Sequence, residues 1–256
     1  MATIASATVP RAGRGSFYVW MHVACIATAV LGFVPTYWQP LAAGVFKANP
    51  VVHLHGAIFF GWTVFALVQS SLVASGQVAR HRATGLAGIS FATVLVLFGL
   101  LAGLNGLKVG IATGYAEAAK AFLIVPISLM ATFAVLFTLG VANLRRPEWH
   151  RRFMMLATIS LLNAPIARPL LVWVWPVVPP AQPPVWINVP ACWLSYLLVL
   201  PLMLHDWRIQ GRVHPVYQIG LPALMFVAWV VVPISETAAW RAFADGFLAL
   251  GGTPPG

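Results

Sequence analysis

Long apolar runs constrain this chain more than any other feature of its sequence. Of its 256 residues, 60% are hydrophobic and 8% are charged, and the mean hydropathy is +0.86. A helix needs about 20 predominantly apolar residues to cross the hydrocarbon layer of a bilayer, and core helices of soluble domains rarely reach that length. The composition therefore predicts an all-α, polytopic integral membrane protein whose principal partner is the lipid bilayer.

Seven apolar runs are expected to be transmembrane helices. Short gaps containing proline, glycine or charged residues separate them. The runs cover residues 17–37, 51–75, 84–106, 120–143, 152–175, 186–204 and 217–239. We therefore predict an N-terminal tail at 1–16, a single seven-helix domain at 17–240, and a short tail at 241–256.

The distribution of lysine and arginine predicts the orientation of the chain. Ten of these residues lie before the first run or in alternate gaps, and four lie on the other side: Lys47, Lys108, Lys120 and Arg241. Because positive residues concentrate in cytoplasmic loops, the N-terminus is expected to be cytoplasmic and the C-terminus outside; in a bacterium the membrane would be the inner (plasma) membrane. The net charge of +10 is thus spread over segment ends. That distribution predicts no nucleic-acid partner.

Histidine is the main candidate for chemistry, since imidazole is costly in hydrocarbon and is a common metal ligand. Of the seven histidines, His53 and His55 begin the second run, beside Gly56. They are candidate ligands for haem, copper or zinc. Residues two positions apart on a helix point about 200° apart, so the two rings would share one ion only if the helix were unwound.

A second candidate site consists of polar residues expected in the outer half of the membrane. Its members are Gln69, Asn163, Arg168 and Glu236. A charge at the depth of Arg168 needs a partner, and Glu236 is the only carboxylate expected at that depth, so an ion pair is one interpretation. The alternative is that Arg168 extends its guanidinium to the outer interface.

Five further histidines are predicted near the cytoplasmic face: His22, His81, His150, His205 and His214. With Asp206 and Glu148 they could form a metal site or a proton entry. Contacts with headgroups and carbonyls are favoured for those at the helix ends. For His22, which lies inside the first run, a hydrogen-bonded core position is favoured over a ligand role.

Three motifs resemble those of a group of bacterial multi-pass membrane proteins in uncharacterised families. They are His53-x-His55-Gly56 followed by His81-Arg82-x-x-Gly85, then Trp149-His150-Arg151-Arg152, and finally Gly211-Arg212-Val213-His214-Pro215. The resemblance implies a seven-span membrane protein. It implies no activity and no set of ligands.

The sequence leaves three classes of function open. The first is a histidine-based binding or redox protein that holds haem or a metal at His53 and His55. The second is a transporter for a small solute or protons, indicated by proline-kinked spans and by Arg168. The third is a non-catalytic accessory or assembly subunit that binds other membrane subunits. Whether the chain is an enzyme also stays open.

Overall fold

A computed structural model describes residues 13–46, 50–177 and 182–251, with side chains from residue 16 onwards. Throughout these ranges the regular structure is helical, which confirms the all-α prediction. The α-helices are α1 (Gly13–Gly32), α2 (Gln39–Ala42), α3 (Pro50–Ala74), α4 (Val78–Ala112), α5 (Ala116–Phe122), α6 (Ile124–Ala142), α7 (Pro147–Ser160), α8 (Asn163–Pro169), α9 (Asn188–Tyr196), α10 (Val199–Gln210), α11 (Pro215–Ser235) and α12 (Ala238–Leu250).

Six segments formed by these helices are long enough and apolar enough to cross a membrane. A bent pair of helices makes a seventh segment if the pair is counted as one crossing. The bent pair, Ser16–Gly32 and Val34–Ala42, turns by 41°. In chain order the other spans are Pro50–Ala74, Val78–Ala112, Ala116–Ala142, Pro147–Val174, Val185–Gln210 and Pro215–Ser235. The third span is one unbroken helix of 35 residues, α4.

Proline and glycine set several of the helix boundaries. Pro50, Pro147 and Pro215 each occupy the first position of a helix. Proline is tolerated there because the missing N–H would have no partner within the helix. At the other end of α10, Gly211 adopts a left-handed conformation with φ 70°, which only glycine adopts without strain.

The alternating spans place like charges at the same end of the bundle. We call the end at which α4, α7 and α11 begin the arginine end, because it carries Arg80, Arg82, Arg145, Arg146, Arg151, Arg208 and Arg212. The opposite end carries Lys108, Lys120 and Arg241.

The fifth span is the most deeply buried of the second to seventh spans. Its first part, α7, packs against α6, α9 and α11, and its second part, α8, packs against α1 and α9. The helix is interrupted at Leu161 and Leu162, and beyond α8 it ends in a π-helical turn, Leu170–Val174. The bundle is therefore built around a broken central helix.

The approach of α1 to α8 depends on a glycine. Gly32, the last residue of α1, lies so close to Pro165 that a Cβ atom at this position would overlap the Pro165 backbone carbonyl. Backbone atoms cannot move aside as the end of a flexible side chain can. The two helices can therefore meet at this distance only with glycine at position 32.

The last described segment folds back onto the opposite end of the bundle. Residues 241–250, expected to be a tail, form most of α12, which packs on α4 and α5. Lys120 forms an ion pair with Asp245 at 2.9 Å, and Lys108 Nζ donates to the Gly251 carbonyl at 2.6 Å. The predicted 1–16 tail falls largely outside the described residues, as do Lys47 and residues 252–256.

Candidate functional sites

A buried ion pair joins α7 to α10 at the arginine end. Arg152 Nε donates to Asp206 Oδ2 at 2.9 Å, and Arg152 Nη2 donates to Asp206 Oδ1. The two residues are 0% and 1% exposed. Arg152 Nη1 also donates to a Glu148 carboxylate oxygen at 2.6 Å, and the His214 backbone N–H donates to Asp206 at 3.3 Å. This network links the fifth and sixth spans to the start of the seventh.

A polar cavity of about 320 Å³ lies beside this ion pair. It is lined by Glu148, Arg151, His205, Asp206, Ile209 and Gln210. Arg151 lies over the Tyr18 ring at 4.8 Å from its centroid, and His205 stacks on Phe17 at 3.8 Å. The two guanidinium groups of Arg151 and Arg152 balance the two carboxylates, so the cavity favours neither anions nor cations.

His214 caps the first turn of α11. Its Nδ1 accepts a hydrogen bond from the Val216 N–H at 3.2 Å. Burial, followed by the charge of Arg152, holds the pKa of His214 below its ordinary value. The ring is therefore kept in the neutral form, which the cap requires because a protonated ring has no acceptor.

Lowering the pH should weaken the protein through this cap. The folded-state pKa of His214 is depressed, so its stabilising contribution is present above the unfolded pKa of about 6.5 and is lost as the pH falls through the lower folded value. His214→Asn keeps a capping acceptor that does not titrate. Unfolding titrations from about pH 7.5 to 5 should show a smaller acid loss for this variant, by up to about 1 kcal/mol. Equal acid losses would contradict this role.

Two of the remaining arginine-end histidines have rings close together, and one is buried. The rings of His81 in α4 and His150 in α7 have centroids 6.2 Å apart. His22 is 7% exposed, and its Nδ1 lies 2.8 Å from the Tyr18 carbonyl in its own helix. The five histidines predicted near the cytoplasmic face therefore do not form a single cluster.

His53 and His55 point to different neighbours, as helix geometry predicts. His53 Nδ1 lies 2.9 Å from the Tyr37 hydroxyl. The His55 ring packs on Phe59 at 4.1 Å, faces the backbone of Phe98, and leaves Nδ1 buried without a partner. Across 16–46, 50–177 and 182–251, no group of three or more His, Cys, Asp or Glu side chains is arranged to hold a metal ion.

The predicted ion pair between Arg168 and Glu236 is wrong. Glu236 Oε2 lies 3.8 Å from Arg241 Nη2, and Arg168 lies over the Phe33 ring at 5.7 Å from its centroid. The reason is α12, which brings a closer cation to Glu236. None of the ion pairs between described residues includes Arg168.

The other two members of the predicted outer site also lie apart from Arg168. Asn163 is buried and donates to Asn188 Oδ1 and Cys192 Sγ, both at 2.9 Å. Gln69 donates to Thr84 Oγ1 at 2.7 Å near the arginine end. It lies about 21 Å along α3 from His55, so the two share a helix face but not a depth.

Comparison of the chain with protein-family models, curated proteins and solved structures gives no match. Function is therefore inferred from the arrangement of the residues. Sequence reasoning missed the pairing of Arg152 with Asp206. It counted Arg152 among the charges of the cytoplasmic side and placed Asp206 with the inner histidines as a possible metal site or proton entry. The available signal was a carboxylate in the last turns of an apolar run, where an unpaired charge is costly.

Proposed function

We propose that this membrane protein is a small-solute transporter that binds the anionic group of its solute at Arg168. The observation that carries the proposal is a permanently charged side chain, within the length of a membrane span, that has no anionic partner among the described residues. An ionisable residue inside a span is expensive and marks a substrate or ion pathway by default.

The depth of Arg168 supports this role. It lies six positions before Val174, where the 28-residue fifth span ends, and so about 9 Å inside that end. That span is about 42 Å long and the hydrocarbon layer is about 30 Å thick, which places Arg168 at or just inside the edge of that layer. The side chain is exposed on the surface of the bundle. A planar guanidinium binds a carboxylate through two parallel hydrogen bonds, and a ligand of that kind would supply the charge that the protein does not.

The neighbours of Arg168 suit a small organic anion. Phe33 holds the guanidinium through a cation–π contact. His55 lies at a similar depth, about 8 Å from the start of α3, and within electrostatic range of Arg168. Its Nδ1 has no hydrogen-bond partner in the described part of the chain. An aromatic face and a cation are components of a binding site for an anion with an apolar body. The other His55 nitrogen faces the Phe98 carbonyl, so Nδ1 can only accept and would contact a donor group of the solute rather than its anionic group.

Irregular helices surround this position. The π-helical turns Val34–Trp38 and Leu170–Val174 belong to the first and fifth spans, and both contact α8, which carries Arg168. Single π-turns occur frequently at functional sites. Interrupted spans also form the substrate sites of many transporters. The breaks therefore support a transport path through this region.

Haem or metal binding at His53 and His55 stays a prediction with less support. His53 is engaged by Tyr37, and His55 faces α4. A single ion would have to draw both rings out of these contacts. The accessory-subunit hypothesis also stays a prediction.

Benzoate should stabilise the purified protein in neutral detergent, whereas the uncharged isostere benzamide should not. Ligand at about 100 times its dissociation constant adds about 2.7 kcal/mol of stability, which raises the thermal midpoint. Arg168→Gln should abolish the benzoate effect. Arg208→Gln is the matched control, because it removes an exposed arginine at the other end of the bundle.

Uptake of labelled benzoate into proteoliposomes should follow the same pattern. Transport should be lost in Arg168→Gln and retained in Arg208→Gln. Arg168→Lys should retain weaker transport, since lysine keeps the charge but not the planar fork. Dodecanoate, which carries a carboxylate on a long apolar chain, is tested for stabilisation in the same way. If neither benzoate nor dodecanoate stabilises the wild type in an Arg168-dependent way, Arg168 only extends to the interface and the proposal fails.

A further inference from the structure

His81 and His150 are spaced as two ligands of one metal ion. They lie in the first turns of α4 and α7, with ring centroids 6.2 Å apart and ring planes at 74°. Bonds from a metal to imidazole nitrogen are about 2.0–2.1 Å long, so two imidazoles on one ion have centroids about 5–6.5 Å apart. The two helices already hold the rings at that separation.

The hydrogen bonds of the two rings leave lone pairs for a metal. His150 Nδ1 lies 2.9 Å from the Gly140 carbonyl, which can only accept, so Nδ1 carries the proton and Nε2 has the lone pair. Nε2 makes no hydrogen bond to a described residue. His81 faces the backbone of Gln69, and its Nδ1 is buried without a partner. Metal-binding histidines characteristically donate their second N–H to a carbonyl in this way.

Two further groups complete the surroundings. The Gln69 side-chain oxygen is buried and has no hydrogen-bond partner, and it belongs to the residue whose backbone faces His81. Met154 lies one turn beyond His150 in α7, with its thioether packed against Gly140. Imidazole ligands without carboxylates favour copper, zinc or nickel over magnesium or calcium.

We propose that His81 and His150 bind one Cu(I) ion at the arginine end of the bundle. The positive surroundings decide between a monovalent and a divalent ion. Arg82 acts electrostatically on His81, and its repulsion of a bound cation doubles with the ion's charge. Cu(I) is also stable with a pair of ligands, which fits a site without a third His, Cys, Asp or Glu side chain among the described residues. This site is independent of the solute site at Arg168.

Anaerobic titration of the purified full-length protein with Cu(I), against a colorimetric Cu(I) chelator, tests the proposal. The wild type should bind one ion per chain. His81→Gln and His150→Gln should each weaken binding by at least about 100-fold, since loss of outer contacts alone costs 10–100-fold. Arg208→Gln is an exposed substitution at the same end of the bundle and should bind Cu(I) as the wild type does.

Two measurements separate loss of the site from loss of folding. X-ray absorption at the copper edge of the wild type should show imidazole nitrogen scatterers at about 2 Å. The thermal midpoints of both variants without copper should match that of the wild type. Wild-type binding in both variants, copper without imidazole scatterers, or equal affinity for Zn(II) would each overturn the proposal.

Discussion

Asp206→Ala should destabilise the protein by about 3–5 kcal/mol, because it leaves the guanidinium of Arg152 buried without its counter-ion. Both side chains are almost completely inaccessible, and Arg152 stays charged at any accessible pH. The remaining partner, Glu148, is 53% exposed and cannot replace a buried carboxylate. Unfolding titrations in mixed micelles with sodium dodecyl sulfate measure the loss.

The control is an ion pair of the same chemistry in an exposed position. Glu117→Gln removes the partner of Arg241, where the side chains are 63% and 42% exposed, and should cost about 0–1 kcal/mol. The double variant Arg152→Met with Asp206→Leu should recover much of the stability, since an apolar pair leaves no buried charge. If Asp206→Ala costs no more than Glu117→Gln, the pair does not hold α7 and α10 together.

Gly32→Ala should also destabilise the protein, by about 1–3 kcal/mol or more. The added methyl group meets the backbone of Pro165, so α1 must move away from α8. Because α8 carries Arg168, this displacement should also weaken the Arg168-dependent response to benzoate. The two measurements are the free energy of unfolding in mixed micelles and the thermal shift with benzoate.

Gly106→Ala provides the matched control within a span. Gly106 lies in α4, and a Cβ atom there would have no neighbour within 4 Å. Alanine should therefore stabilise the helix by about 0.5–1 kcal/mol. A gain in stability at both glycines would mean that α1 and α8 do not approach as closely as Gly32 and Pro165 indicate.

The sequence predicted the spans closely because a bilayer imposes a length and a polarity on each one. The predicted run 51–75 is the helix Pro50–Ala74, and 217–239 corresponds to Pro215–Ser235. Prolines at the first position of a helix, such as Pro50 and Pro215, made the starts of these helices predictable to within one or two residues. The run 84–106 is too short by six residues at each end, since the helix is Val78–Ala112 and its ends carry residues too polar for an apolar run. The helix α12 was missed because residues 241–250 are too few to span a membrane. Its stability depends on contacts with α4 and α5 that only the folded chain provides.

The pairing of charges could not be predicted in the same way. Arg152 and Asp206 are 54 positions apart in the sequence. Their contact depends on how α7 and α10 are rotated about their own axes. An apolar run without a polar stripe does not specify that rotation. Arg168 and Glu236 share a predicted depth, but depth alone does not bring two side chains together. The same limit applied to Gln69, which shares the face of His55 and lies far from it along α3.

The length of α4 has a consequence for the route by which an ion reaches His81. Its 35 residues extend for about 52 Å, whereas the hydrocarbon layer is about 30 Å thick. If Lys108 marks one edge of that layer, the other edge falls about 20 residues earlier, near Gly88. The first two turns of α4 then stand in the headgroup and aqueous layers. A metal donor on that side of the membrane could deliver its ion to His81 from water, without crossing lipid.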